Sequence, residues 1–168
     1  MRLSRIEAVR FGRLDDVPLG PLGPGLNVVF GPNGAGKTSF TTLVRYVLYG
    51  FPTKRDSEPD YASSAGKRLG RLVFVDDTGE WVVERTEGVR GGLLGVQARS
   101  GAERPDLVAD VTHGVSRNEF RVVFGFGLRD LPEIEPGTGS SGVLSRLYAA
   151  GAGLAVSPHN VREAIETE

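Results

Sequence analysis

Gly31-Pro-Asn-Gly-Ala-Gly-Lys-Thr38 is the stretch on which the fold turns. Its spacing, G-x-x-x-x-G-K-[ST], is that of the Walker A loop, which wraps a phosphate chain between a strand and a helix. Leu26-Asn-Val-Val-Phe30 precedes it. This short, β-branched and mostly apolar run predicts a buried strand. After the loop, Phe40, Leu43, Val44, Val47 and Leu48 recur at helical spacing through Lys37 to Tyr49, and Gly50 and Pro52 should stop that helix. Strand, glycine loop and helix in this order predict an α/β P-loop fold.

The residue types suit the chemistry. Glycines allow backbone dihedrals that a Cβ would forbid, so that N–H groups can converge on an anion. The helix starting near Gly36 adds the positive end of its dipole. Lys37 offers a mobile cation for β- and γ-phosphate oxygens, and Thr38 a hydroxyl for Mg²⁺. Gly31, Asn33, Gly34, Ala35, Gly36, Lys37, Thr38 and Ser39 are therefore the candidate nucleotide contacts, with Thr38 the candidate metal ligand.

Working outward, Leu3 to Val9 alternates loosely and reads as a strand near an edge, turned by Phe11-Gly12-Arg13 toward Val17 to Leu19. These elements and the P-loop helix form a core over residues 1–52. Residues 53–70 are polar and read as a mobile loop. Arg71 to Asp76, Glu80 to Arg85 and Leu93 to Ala98 look like strands, with Asp77-Thr78-Gly79 and Ser100-Gly101 at turn positions, giving an antiparallel hairpin lobe over 71–101. Residues 102–168 read as mainly helical. Pro105 to Val111 is a short helix, Ser116-Arg-Asn-Glu119 is a capping box, Val143 to Ala149 is helical, and Ser157-Pro158 opens a last helix carrying Val161 and Ile165.

Leu72-Val-Phe-Val-Asp-Asp77 admits three readings. It looks like a Walker B strand, Asp76 to Gly79 fits a GTPase D-x-x-G, and Asp77-Thr-Gly79 suits a hairpin turn. The hairpin is favoured because Glu80 to Arg85 resumes a strand pattern at once, whereas a parallel strand would feed a crossover.

Composition narrows the classes. The 168 residues suit one domain, 39% hydrophobic and 24% charged, and the net charge of −1 provides no global basic field for nucleic acid. Arg2, Arg5, Arg10 and Arg13 could line a DNA-facing edge that Lys67, Arg68 and Arg71 would extend, although such charges more often form a solvated surface. The absence of cysteine removes disulfides and thiolate chemistry. No apolar run approaches a membrane span, so the expectation is a cytoplasmic protein without a membrane partner. His113 and His159 lack metal-ligand spacing, and Phe124 and Phe126 read as core.

Taken together, these residues resemble the N-terminal half of an SMC-like or RecF-like ABC-type ATPase head, with the nearest likeness to the YhaN-like AAA family. The matching stretches are Ile6 to Leu14, Gly25 to Thr38, Tyr49-Gly-Phe-Pro52, Val83-Glu-Arg85, Gly114 to Arg117, Phe120 to Leu131 and Gly151-Ala-Gly-Leu154. The resemblance implies a partial head domain. It would bind ATP and Mg²⁺, take its signature motif, Walker B and catalytic glutamate from a C-terminal half of the same head, and engage a second head in DNA repair or chromosome-related work. It places no catalytic residue in this chain, puts Arg13 near the phosphates, and finds no Q-loop glutamine around Phe120 to Leu131, where Asp130, a water or neither takes that place. Arg85 reads as a hairpin salt-bridge partner. A small stand-alone P-loop kinase and a non-catalytic ATP-dependent interaction module are the alternatives.

Overall fold

The computed structural model describes residues 1–53, 58–88 and 93–125, with only the backbone at 93 and 122. The helices expected at Val143 to Ala149 and after Ser157, together with Phe126, Asp130 and His159, lie outside the described residues. The chain divides into two compact units, Met1–Val115 and Ser116–Glu168.

The first unit is built on one antiparallel sheet. Strands β1 (Arg2–Phe11), β2 (Leu14–Leu19), β3 (Leu69–Asp76), β4 (Gly79–Thr86) and β5 (Leu93–Gln97) lie in the order β2-β1-β3-β4-β5. β1 is therefore an inner strand, and β2 takes the edge that β1 was expected to hold. Pro18 and the acidic pair Asp15 and Asp16 suit an exposed edge, where a missing N–H and charge both discourage further pairing.

Strand alternation sets the two faces. Ser4, Ile6 and Ala8 of β1 are buried, while Arg5 and Glu7 between them point the other way. A register shift between Ala8 and Arg10 advances the alternation by one residue, so Phe11 turns inward instead of Arg10. Ile6 pairs with Leu72, and Leu72 pairs with Val83, carrying one apolar row across three strands.

Helix α1 (Lys37–Tyr49) packs on this row through Phe40, Leu43, Tyr46, Val47 and Leu48. Each such burial stabilises by roughly 1.5–3 kcal/mol. Gly70 makes the approach possible, since a Cβ there would sit 2.5 Å from Leu43 Cδ1 and 3.0 Å from Val47 Cγ2. Gly95 does the same for helix α2 (Leu107–Thr112), whose Leu107 is fully buried against it. On the opposite face Arg5, Glu7, Arg71 and Glu84 form a ladder of ion pairs across β1, β3 and β4.

Residues 58–68 are not the free loop that their polarity suggests. Tyr61 stacks on Phe11 at 4.7 Å, and Phe51, Tyr46 and Phe11 complete an aromatic cluster. The Tyr46 hydroxyl donates to Pro59 O at 2.8 Å, and Arg45 pairs with Glu58 at 3.2 Å. Arg68 is only 3% exposed and binds Asp60, Glu87 and the Pro52 carbonyl. Polar composition concealed one buried arginine that gathers the segment, and β3 already begins at Leu69.

A second departure concerns Leu26 to Phe30. No strand forms there, and Leu26, Val28, Val29 and Phe30 are 93%, 75%, 45% and 91% exposed. Strand propensity needs a partner edge, and none of the described residues pairs with this run.

In the second unit Ser116 and Glu119 form the expected capping box around α3 (Arg117–Glu119), followed by a π-helical turn, Phe120–Phe124. Phe124 is 58% exposed rather than core.

Candidate nucleotide site

The P-loop joins the open run 26–30 to α1. Gly34 (φ 84°) and Gly36 (φ 95°) adopt the left-handed conformation that the motif requires of them. Gly36 is the N-cap of α1, with no side-chain cap bond and no acidic residue in the first turn. The N–H groups and dipole at this helix start are thus left for an anion. Pro32, Asn33, Gly34, Ala35 and Thr38 are exposed, while Gly31, Gly36, Lys37 and Ser39 are half-buried.

Lys37 turns back on its own loop. Its ammonium donates to the Gly31 carbonyl at 2.6 Å and to the Pro32 carbonyl at 2.9 Å. This arrangement holds the cation over the loop mouth, where two neutral acceptors can be exchanged for charged phosphate oxygens. The Thr38 hydroxyl makes no hydrogen bond among the described residues, which suits an oxygen free to join a Mg²⁺ shell. No cluster of metal-holding side chains occurs among the described residues. An ion here would take Thr38 together with phosphate oxygens and water.

The β1–β2 turn lies against the loop. A Cβ on Gly36 would meet Leu14 Cδ2 at 3.1 Å, so β2 and the P-loop touch at that point. On the other side, the Gly12 N–H donates to Tyr61 O at 2.9 Å while Tyr61 stacks on Phe11. Tyr61 holds a left-handed φ of 44° to do this, a strain of order 1 kcal/mol sustained by the stacking. Arg13 sits on the turn so fixed, exposed and with no hydrogen bond or ion pair among the described residues. Its motif gave no warning of Leu14 or Tyr61. Both are visible only once the turn and the 58–68 segment are packed.

The other basic residues of the strip that could face DNA are mostly committed. Arg2 donates to Leu22 O at 2.7 Å and Arg10 to Lys67 O at 3.0 Å. Arg5 and Arg71 belong to the ion-pair ladder, and Arg68 is buried. The strip is not a row of free cations.

Asp76 belongs to the hairpin turn. It pairs with Gly79 across the β3–β4 connection, and its Oδ1 accepts from the Thr78 N–H at 2.9 Å, the Thr78 hydroxyl at 2.6 Å and the Trp81 indole at 3.3 Å. The Thr78 bonds, above all, hold its carboxyl below the usual range. Arg85 departs from its expected role as a hairpin salt-bridge partner. Its guanidinium reaches Val47 O at 2.6 Å and Leu48 O at 3.2 Å, at the far end of α1. Its signal was already present in the alternation, since Arg85 shares the inward face of β4 with buried Val83.

The chain is 22% identical over 136 residues to the uncharacterized protein YhaN of Bacillus subtilis, covering 80% of this chain and 14% of YhaN. It is 38% identical over 60 residues to the DNA replication and repair protein RecF of Chlorobium limicola, covering 34% of this chain and 16% of RecF. The chain thus spans less than a fifth of either relative. A solved structure from work on ATP-driven dimerization and DNA-stimulated activation of SMC ATPases superposes with a TM-score of 0.52 at 16% identity, covering 99% of this chain and 98% of that one. The fold is that of the SMC ATPase head, a mixed α/β arrangement with an antiparallel sheet, as the sequence resemblance implied. The AAA domain family matches residues 1–168 throughout, and the chain belongs to that family.

Proposed function

We propose that this chain is the ATP-binding N-terminal lobe of an SMC-like ATPase head. ATP lies with its phosphates in the loop Gly31 to Thr38, Lys37 on the β- and γ-oxygens and Thr38 on Mg²⁺. Gly31, Asn33, Gly34, Ala35, Gly36 and Ser39 line the phosphates, and Arg13 approaches from the β1–β2 turn. The observation that carries this reading is the helix start without a side-chain cap beneath a lysine held, among the described residues, by the two loop carbonyls alone. Bound ATP supplies the reactive γ-phosphate. The chain's own residues orient it and neutralise its charge.

Hydrolysis needs further groups that aim a water and stabilise the developing charge. The Asp76 carboxylate is occupied by its turn, so those groups belong to a C-terminal half of the head and to a second, facing head. The exposed run Leu26 to Phe30 supports this assignment, because its apolar side chains and open backbone suit further strands of the head. DNA is a partner of the assembled protein in this reading, in repair or chromosome-related work. The engagement of Arg2, Arg5, Arg10, Arg68 and Arg71 argues against a footprint on that strip. Among the described residues no helix is long and apolar enough to cross a membrane, and a cytoplasmic setting accompanies the proposal. The turn role of Asp76 also favours a second reading, in which the lobe binds ATP as a non-catalytic interaction module.

Calorimetry with ATP and Mg²⁺ tests the proposal. Thr38→Val keeps the shape and removes the oxygen, so it should abolish the part of the affinity that Mg²⁺ adds and leave the metal-free affinity within about twofold. Equal losses with and without Mg²⁺ would remove Thr38 from the metal shell.

A further inference from the structure

Arg85 stands opposite Gly70 in the β3–β4 register, on the face that α1 covers. Its Nε and Nη2 take the carbonyls of Val47 and Leu48. Gly50, which ends the helix, gives its N–H to Tyr46 O, and a Cβ there would lie 3.8 Å from Arg85 Nη1. The last turn of α1 contains no basic residue of its own. Without Arg85, the Val47 and Leu48 carbonyls at the end of the helix would lose their side-chain donor among the described residues. The guanidinium has no acidic partner among the described residues, so the negative end of the helix dipole is its counter-charge. Burial lowers its affinity for the proton somewhat, as expected of a cation held by carbonyls in place of water.

The same helix begins at Lys37. Over 13 residues, about 20 Å, it is a rigid rod fixed at both ends, by Leu14 against Gly36 and by Arg85 against Val47 and Leu48. We propose that Arg85 is a positioning residue for the nucleotide site. From β4 it clamps the far end of α1, and thereby sets where the N-terminal amides, Lys37 and Thr38 meet the phosphates. The inference rests on the reading that the P-loop binds ATP, and it ties β4 to that site through the Arg85 guanidinium.

A purely structural arginine would affect stability alone, so the test separates the two. ATP affinity is measured by calorimetry well below the melting temperature for wild type, Arg85→Met, Arg85→Lys and Val83→Ala. Arg85→Met keeps the apolar stem and loses both donors, and should weaken ATP about tenfold. Arg85→Lys keeps a cation at the helix end without the fork, and should fall between, about threefold weaker. Val83→Ala removes buried packing beside Arg85 on the same face, and should lower the melting temperature while leaving the affinity within about 1.5-fold. Native affinity in both Arg85 variants, or a loss in Val83→Ala equal to that in Arg85→Met, would overturn the inference. If Arg85→Met does not fold, Arg85→Lys decides alone, and native affinity there overturns it. Failure of the wild type to bind ATP would instead strike the reading on which the inference rests.

Discussion

The Lys37 ammonium donates to the Gly31 carbonyl at 2.6 Å, so the first and seventh residues of the P-loop motif close the loop on each other. The cation sits at the mouth, held by neutral acceptors that a charged phosphate oxygen would outcompete. Lys37→Ala should therefore weaken ATP at least tenfold and cost little stability, because the abandoned carbonyls lie near solvent and can take water. Calorimetry and thermal melting measured together check both halves. Unchanged affinity would remove the P-loop from the account.

Gly70→Ala should destabilise the fold. The new Cβ would lie 2.5 Å from Leu43 Cδ1 and 3.0 Å from Val47 Cγ2, both fully buried, so α1 must shift off β3. Overpacking of this kind costs about 1–3 kcal/mol. Chemical denaturation should show the loss as a lower midpoint with an unchanged slope. A neutral result would mean that α1 is less tightly seated than its burial indicates.

Arg68→Met should loosen the 58–68 segment and lower stability by about 2 kcal/mol. That figure lies below the range for a wholly buried pair because Asp60 and Glu87 keep contact with water. The same pairing predicts a pH dependence. Hydrogen bonds from Arg68 depress the Glu87 carboxyl below its usual 4.5. A depressed carboxylate contributes stability that is present above that unfolded value and lost as pH falls through the lower folded one. Wild type should thus lose stability on acidification below about pH 4.5, and Arg68→Met should lose less over the same window. Parallel acid titrations of the two proteins would exclude the pair as the source.

Asp76→Asn should leave ATP turnover by the assembled protein unchanged within about twofold, because the carboxylate is engaged in capping a turn. Its effect should appear in thermal melting, where the Thr78 and Trp81 bonds are weakened. Loss of turnover in a protein that folds normally would restore the Walker B reading of this segment.

Much of this protein is determined locally, and those parts were legible in the sequence. The P-loop, α1 and its glycine stop, the β3–β4 turn and the Ser116 to Glu119 capping box each follow from dihedral limits, periodicity or a side-chain bond within a few residues. Physics of that range acts between near neighbours in the chain and needs no partner from elsewhere.

The tertiary structure decided what depends on residues far apart in the chain. The β-branched run Leu26 to Phe30 has the composition of a buried strand, yet it lies open because burial is a property of neighbours and not of the run itself. Residues 53–70 read as a mobile loop, but across 58–68 Tyr61 stacks on Phe11 of β1 and Arg68 binds Asp60 and Glu87, and these contacts fix the segment. Arg85 could be placed on an inward face by alternation alone. What it caps was settled only when α1 laid its last turn across β4, bringing two unsatisfied carbonyls within reach of its guanidinium.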